Sequence, residues 1–123
     1  MYQDDYGRTW EGPHPFTLEM IQNHAPREFG VYEILYSVGM SASIAYIGIA
    51  TGDTIRGRLT KHRVGIGNWA LARLGNTSDF TFVFYRCDGL TAKQIESHVV
   101  TMNKPPFNVR QEYRHFIPSI AVH

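Results

Sequence analysis

Cysteine is nearly absent: Cys87 is the one such residue in 123. A lone cysteine excludes an internal disulfide and a cysteine-rich zinc site. It also fits a reducing compartment. The six histidines are scattered, with no pair at a usual zinc spacing. Excess charge of either sign is missing too. The formal net charge is +1, whereas a generic nucleic-acid binder is usually more basic. Any phosphate-binding field must therefore be local. No basic-then-apolar leader is visible, and no apolar run approaches the roughly 18 residues that cross a bilayer. These absences predict a soluble, cytoplasmic protein. No internal repeat or low-complexity stretch occurs.

What is present suits one compact unit. The apolar fraction is 43% and the aromatic fraction 13%, enough for a core in a chain of single-domain length. Residues 1–15 mix acids, glycine and prolines and read as an irregular lead-in. A short helix is expected over 16–24, with Phe16, Met20 and Ile21 as its apolar stripe and Pro26 after it. Strands are expected over 30–36 and 43–49, joined as an antiparallel hairpin. Asp53 or Thr54 can cap a helix running to about 64. Asn68 can cap a second short helix, ending near Gly75. A third strand is expected over 80–86, with Cys87 at its end as a small core residue. Thr91 to Gln94 matches a capping box that opens a last helix to about 103, stopped by Pro105 and Pro106. These elements predict an α+β fold: a small three-stranded antiparallel sheet flanked by helices.

Several residues carry possible chemistry. At about 100° per residue, the last helix has an apolar arc of Ala92, Ile95, Val99, Val100 and Met102. Glu96 falls inside that arc. A carboxylate there is costly unless it is paired or holds a metal. Arg58 and His62, four apart, share one helix face. Alone they would read as a solvated face. In a cleft wall, Arg58 could hold a phosphate with its forked donors. Tyr32 and Tyr46 stand in strands, where tyrosines usually pack, as Tyr36 and Tyr85 would. Arg56, Arg58, Lys61 and Arg63 lie within eight residues, with Arg73 on the next helix. That cluster could track a phosphate backbone.

As an ordered set, Gly30-Val31-Tyr32, Tyr46-Ile47-Gly48, Arg58, His62, Glu96 and Asn108 resemble the GIY-YIG nuclease family. The first tripeptide has Val where the family name has Ile. The resemblance runs from about residue 26 to 108, between a lead-in (1–25) and a tail (109–123) of one catalytic domain. It implies a divalent-metal-dependent endonuclease acting on DNA. Tyr32 would be the general base on the attacking water and Tyr46 a positioning residue. Arg58 would hold the scissile phosphate, and His62 would accept the proton of Tyr32. Glu96 would bind Mg²⁺ or Mn²⁺, and Asn108 would buttress the site. Gly30 and Gly48 would be structural, and Arg56, Lys61, Arg63 and Arg73 would contact nucleic acid. Family chemistry implies 5′-phosphate and 3′-hydroxyl ends. The other readings are a non-catalytic nucleic-acid-binding module and an RNA endonuclease. A homodimer or a targeting partner would supply a double-strand cut or specificity.

Overall fold

The structure is a computed structural model that describes residues 1–38, 40–64 and 80–108. The expected helix near 68–74, with Asn68 and Arg73, lies outside the described residues, as does the tail beyond 108. The described elements are β1 (Tyr2–Gln3), β2 (Thr9–Pro15), α1 (Leu18–His24), β3 (Gly30–Val38) and β4 (Ser41–Ala50). They continue with α2 (Ile55–Val64), β5 (Phe80–Arg86) and α3 (Gly89–Asn103).

The sheet has five strands in the order β1-β2-β5-β3-β4, each antiparallel to its neighbours. This corrects the expected three. The lead-in contributes β1 and β2, although Gly12, Pro13 and Pro15 argue against a strand. Two features reconcile them with it. β1 pairs with β2 only through Tyr2 and Gln3, opposite Trp10 and Thr9, so both prolines fall where β2 has no outer neighbour. The β2–β5 register also shifts between Glu11 and His14, which absorbs Gly12 and Pro13 as a bulge.

The hairpin of β3 and β4 is as the alternation predicts, with Tyr32 opposite Gly48 and Ile34 opposite Tyr46. One extra residue on β4, Ala45, shifts the register beyond that point. The two sheet faces carry different side chains. Tyr32, Ile34, Tyr46, Phe82 and Phe84 point to one face and pack with Ile21, Ile55 and Leu59 of α1 and α2. Val31, Leu35, Ile47 and Val83 point to the other and pack with Ala92, Ile95 and Val99 of α3.

Capping differs in detail from the sequence expectation. Thr17 caps α1 by accepting from the Met20 amide, so that helix starts at Leu18. α3 begins at Gly89, because Asp88 rather than Thr91 is the cap and accepts from the Thr91 amide. Lys104 ends α3 in the left-handed region (φ 47°). The first two amides of α2 find backbone partners in the loop between α1 and β3. Ile55 N–H donates to Glu28 O and Arg56 N–H to Pro26 O, which ties α2 to the end of α1. Met102 is exposed rather than part of the buried stripe. Cys87 is partly buried beside the α3-facing core. No helix among the described residues is long and apolar enough to cross a membrane.

Candidate active site

The strand alternation that builds the core also delivers two phenols to one place. Tyr32 is fully buried and Tyr46 nearly so, with ring centroids 6.3 Å apart. One turn of α2 separates Arg58 from His62, and both reach the same phenols. The His62 ring lies 5.6 Å from Tyr32 and 5.0 Å, edge-on, from Tyr46. The Tyr32 hydroxyl is 2.6 Å from His62 Nε2. With the imidazole proton on Nδ1, the phenol donates and Nε2 accepts.

Burial sets the protonation of this pair. It lifts the Tyr32 phenol far above its ordinary value, reinforced by Tyr46 and opposed by the Arg58 guanidinium. Burial, with Arg58 second, pulls the His62 imidazole down to about 4. A neutral phenol thus faces a neutral imidazole at pH 7. That is the state in which a proton can be handed across. Burial also raises Tyr46, with Arg58 opposing and Glu96 adding to the rise.

Glu96 is partly buried on the flank of α3, next to the inward-facing Ile95. Its influence on Tyr46 links α3 to the phenols on the other face of the sheet. β4 is the edge strand, so a side chain from α3 can reach around it. Asn108 uses the same edge. Its amide accepts from Ile47 N–H and donates to Ile47 O, each at 2.8 Å. This pairing completes the free edge of β4 in the middle of Tyr46-Ile47-Gly48.

The glycines have steric reasons. A Cβ on Gly48 would overlap the Tyr32 hydroxyl and approach its Cζ to 2.6 Å. A Cβ on Gly30 would run into the Tyr85 carbonyl oxygen. We therefore expect Gly48→Ala to displace the Tyr32 phenol from His62. Melting temperature and cleavage rate should both fall, and a crystal structure of the variant with the 2.6 Å contact intact would refute this account.

The basic cluster is more engaged than the sequence suggests. Arg56 Nε donates to Ala25 O at 2.8 Å, holding the end of α1. Lys61 pairs with Asp53 at 2.8 Å, and that carboxylate lies against Gly57, where a Cβ would strike it. Arg63 lies 5.9 Å over the Phe16 ring. Of these cations, Arg58 is the one directed at the phenols.

Among the described residues no group of three or more His, Cys, Asp or Glu could cage a metal. A single carboxylate, Glu96, near two phenols fits only a hard, largely hydrated cation such as Mg²⁺ or Mn²⁺. Sequence reasoning missed Asp53 as the partner of Lys61. It also missed Glu33, a buried acid on the α3 side of β3. The signal for Glu33 was present, since Val31, Glu33 and Leu35 share one strand face and two of them are apolar.

The chain matches no family model and no curated protein sequence. Solved structures do match it. One is the GIY-YIG N-terminal endonuclease domain of UvrC from Thermotoga maritima, at TM-score 0.53 and 22% identity. The match covers 72% of this chain and 94% of that one. The chain has a GIY-YIG-like fold. A second variant of the UvrC domain superposes at TM-score 0.53 and 21% identity, over 72% of this chain and 96% of its own. A third does so at 0.50 and 20%, over 72% and 94%. All three are tyrosine-to-phenylalanine variants bound to the catalytic divalent cation. β1 and the outer part of the sheet extend the three strands expected of the GIY-YIG-like fold.

Proposed function

We propose that the chain is a divalent-metal-dependent endonuclease that hydrolyses phosphodiester bonds in DNA, with residues 1–123 acting as one catalytic domain. The observation that carries this reading is the buried 2.6 Å contact between Tyr32 and His62, flanked by Arg58 and Tyr46, in a GIY-YIG-like fold. A tyrosine and a histidine used only for packing would not need to bury two polar atoms against each other beside a guanidinium.

In this reading Tyr32 Oη takes a proton from the attacking water as its own proton passes to His62 Nε2. The phenol need not ionise beforehand, which its burial opposes. Arg58 holds the non-bridging phosphate oxygens and stabilises the charge that builds on them. Tyr46 orients the water. Asn108 keeps the β4 edge, and so Tyr46, in register. Glu96 would hold the cation, which when bound supplies Lewis-acid stabilisation of the phosphoryl group.

The test is incubation of supercoiled plasmid and labelled RNA with Mg²⁺, Mn²⁺ or chelator. Cleavage of the plasmid alone, lost with chelator, supports the proposal. Cleavage of RNA alone favours the ribonuclease, and binding without cleavage favours a non-catalytic module. Nicked product indicates a monomer acting once, and linear product a dimer or two visits. Arg58→Ala should slow the single-turnover rate more than it weakens affinity. Lys61→Ala and Arg63→Ala should weaken binding and flatten its salt dependence. Equal loss of affinity alone in all three would refute this division.

A further inference from the structure

Glu33 lies on the opposite side of the sheet from the candidate active site. It is 0% exposed, between Ile47 on β4 and Val83 on β5. Among the described residues neither of its carboxyl oxygens has a hydrogen-bond partner. α3 offers that face only apolar side chains, Ala92, Ile95 and Val99, while His98 lies on its outer side against Tyr6. The polar groups near Glu33 belong to the N-terminal flap, residues 2–10. Tyr2 stands on β1, and Asp4 and Arg8 are in the turn that follows. Asp4 takes the Tyr6 and Arg8 amides on one oxygen and the Trp10 indole N–H on the other. Arg8 Nη1 is buried, 3.8 Å from Asp4 Oδ2, with no hydrogen bond. Cys87, after β5, lies near Arg8, and Tyr85 of β5 packs on the Trp10 ring with centroids 5.8 Å apart.

Two opposing tendencies therefore meet in one small element. Burial of Trp10 and Tyr2 closes the flap over the sheet. Three buried polar atoms without a hydrogen bond among the described residues, both Glu33 oxygens and Arg8 Nη1, would be hydrated if it opened. The two β1 pairs lie within the flap itself. Outside it the flap is held by Tyr6 against His98 and Asn103 of α3 and by Trp10 against Tyr85, while the β2–β5 pairs begin at Glu11, so it can lift without breaking a pair of β3, β4 or β5.

We propose that Glu33 is a proton-controlled latch for the N-terminal flap: as the neutral acid it permits closure, and on losing its proton to solvent it drives residues 2–10 off the sheet. The direction follows from the charges. Among the described residues an ionised Glu33 would stand beside Asp4, with Asp5 near Tyr2, against the Arg8 cation. Excess negative charge in an apolar cluster is relieved by water. Burial first, then Asp4, raises the Glu33 carboxyl to about 8, while Arg8 opposes. Burial, then Glu33, Asp4 and Asp5, pushes Tyr2 up to about 12, so it stays neutral over the same range. The carboxyl binds its proton more tightly closed than open. Closure is therefore favoured below the ordinary carboxylate value of 4.5 and weakens steadily as pH rises to about 8. The latch is independent of the nuclease reading.

The test follows the Trp10 ring carbon–proton resonances by NMR from pH 4 to 9, in the wild type and in Glu33→Gln. In the wild type they should shift to solvent-exposed values in a one-proton transition between pH 4.5 and about 8, while Ile47 and Leu59 keep native shifts. Glu33→Gln should hold Trp10 in its closed position throughout. The side-chain carboxyl carbon of Glu33 in the wild type provides the second measurement and should titrate at the same midpoint, whether or not the variant folds. A wild-type Trp10 that does not move would overturn the latch. So would the same transition in Glu33→Gln, a Glu33 carbon that titrates elsewhere, or loss of Ile47 and Leu59 together with Trp10.

Discussion

Tyr32→Phe is expected to slow cleavage by roughly 100- to 10,000-fold, the usual contribution of a general base. The substitution removes one oxygen and leaves the ring in the core. It also deprives His62 Nε2 of a buried partner at 2.6 Å, so a stability loss of about 1–3 kcal/mol should accompany it. His62→Ala should slow the same step, with a loss that shrinks as pH rises and hydroxide takes the phenol's proton. The double variant should be little worse than Tyr32→Phe, because both residues serve one proton path. The pH profile gives an independent check. His62 is pulled down to about 4 by burial and Arg58, so it remains an acceptor until pH falls through that value. Any acid limb due to His62 should lie near 4, not near 6.5. Unfolded His62 would bind a proton from about 6.5 downward. The native state should therefore lose stability as pH falls from 6.5 to 4, and His62→Gln should remove that dependence. Single-turnover rates across pH and urea titrations read both quantities. Fully multiplicative losses in the double variant, or normal rates in Tyr32→Phe, would show that the pair only packs.

Glu96→Gln should abolish metal-dependent cleavage while leaving the fold intact. A neutral amide is a poor replacement for the Glu96 carboxylate, and a hydrated hard cation depends on that charge. Two readouts separate this from a general loss of activity. Isothermal titration with Mn²⁺ should lose its heat in the variant. Spectrophotometric titration of the tyrosines should show Tyr46 ionising at lower pH, because Glu96 contributes to raising it after burial. Wild-type cleavage with Glu96→Gln would rule out the metal assignment. An unmoved Tyr46 would mean that α3 does not present this carboxylate to the site.

Much of the architecture was legible along the chain because its signals are local. Alternation in 30–36 and 43–49 predicted the β3–β4 hairpin, and Pro26 and Pro105 marked helix ends that the structure keeps. The same alternation placed Tyr32 and Tyr46 in strands, while their sharing one face of the sheet follows from the pairing of Ile34 with Tyr46. The four-residue step put Arg58 beside His62. Composition misled at the N-terminus, where glycine and proline in 9–15 concealed β2. Those residues are tolerated because β1 is too short to pair with them, a fact of strand order and not of local preference.

Other features depend on distant parts of the chain, and only the tertiary structure decided them. Asn108 reaches Ile47 across 61 residues because β4 is the sheet edge, where backbone groups still need partners. Lys61 is bound by Asp53, so counting basic residues overstated the free charge. Glu33 was visible as an acid among apolar strand neighbours, but its isolation required knowing that α3 and the N-terminal flap cover that face. Local order follows from torsional preference and side-chain periodicity, which a short stretch of sequence carries entire. Burial, pairing and proton affinity follow from which surfaces meet, and the order of strands in the sheet sets that.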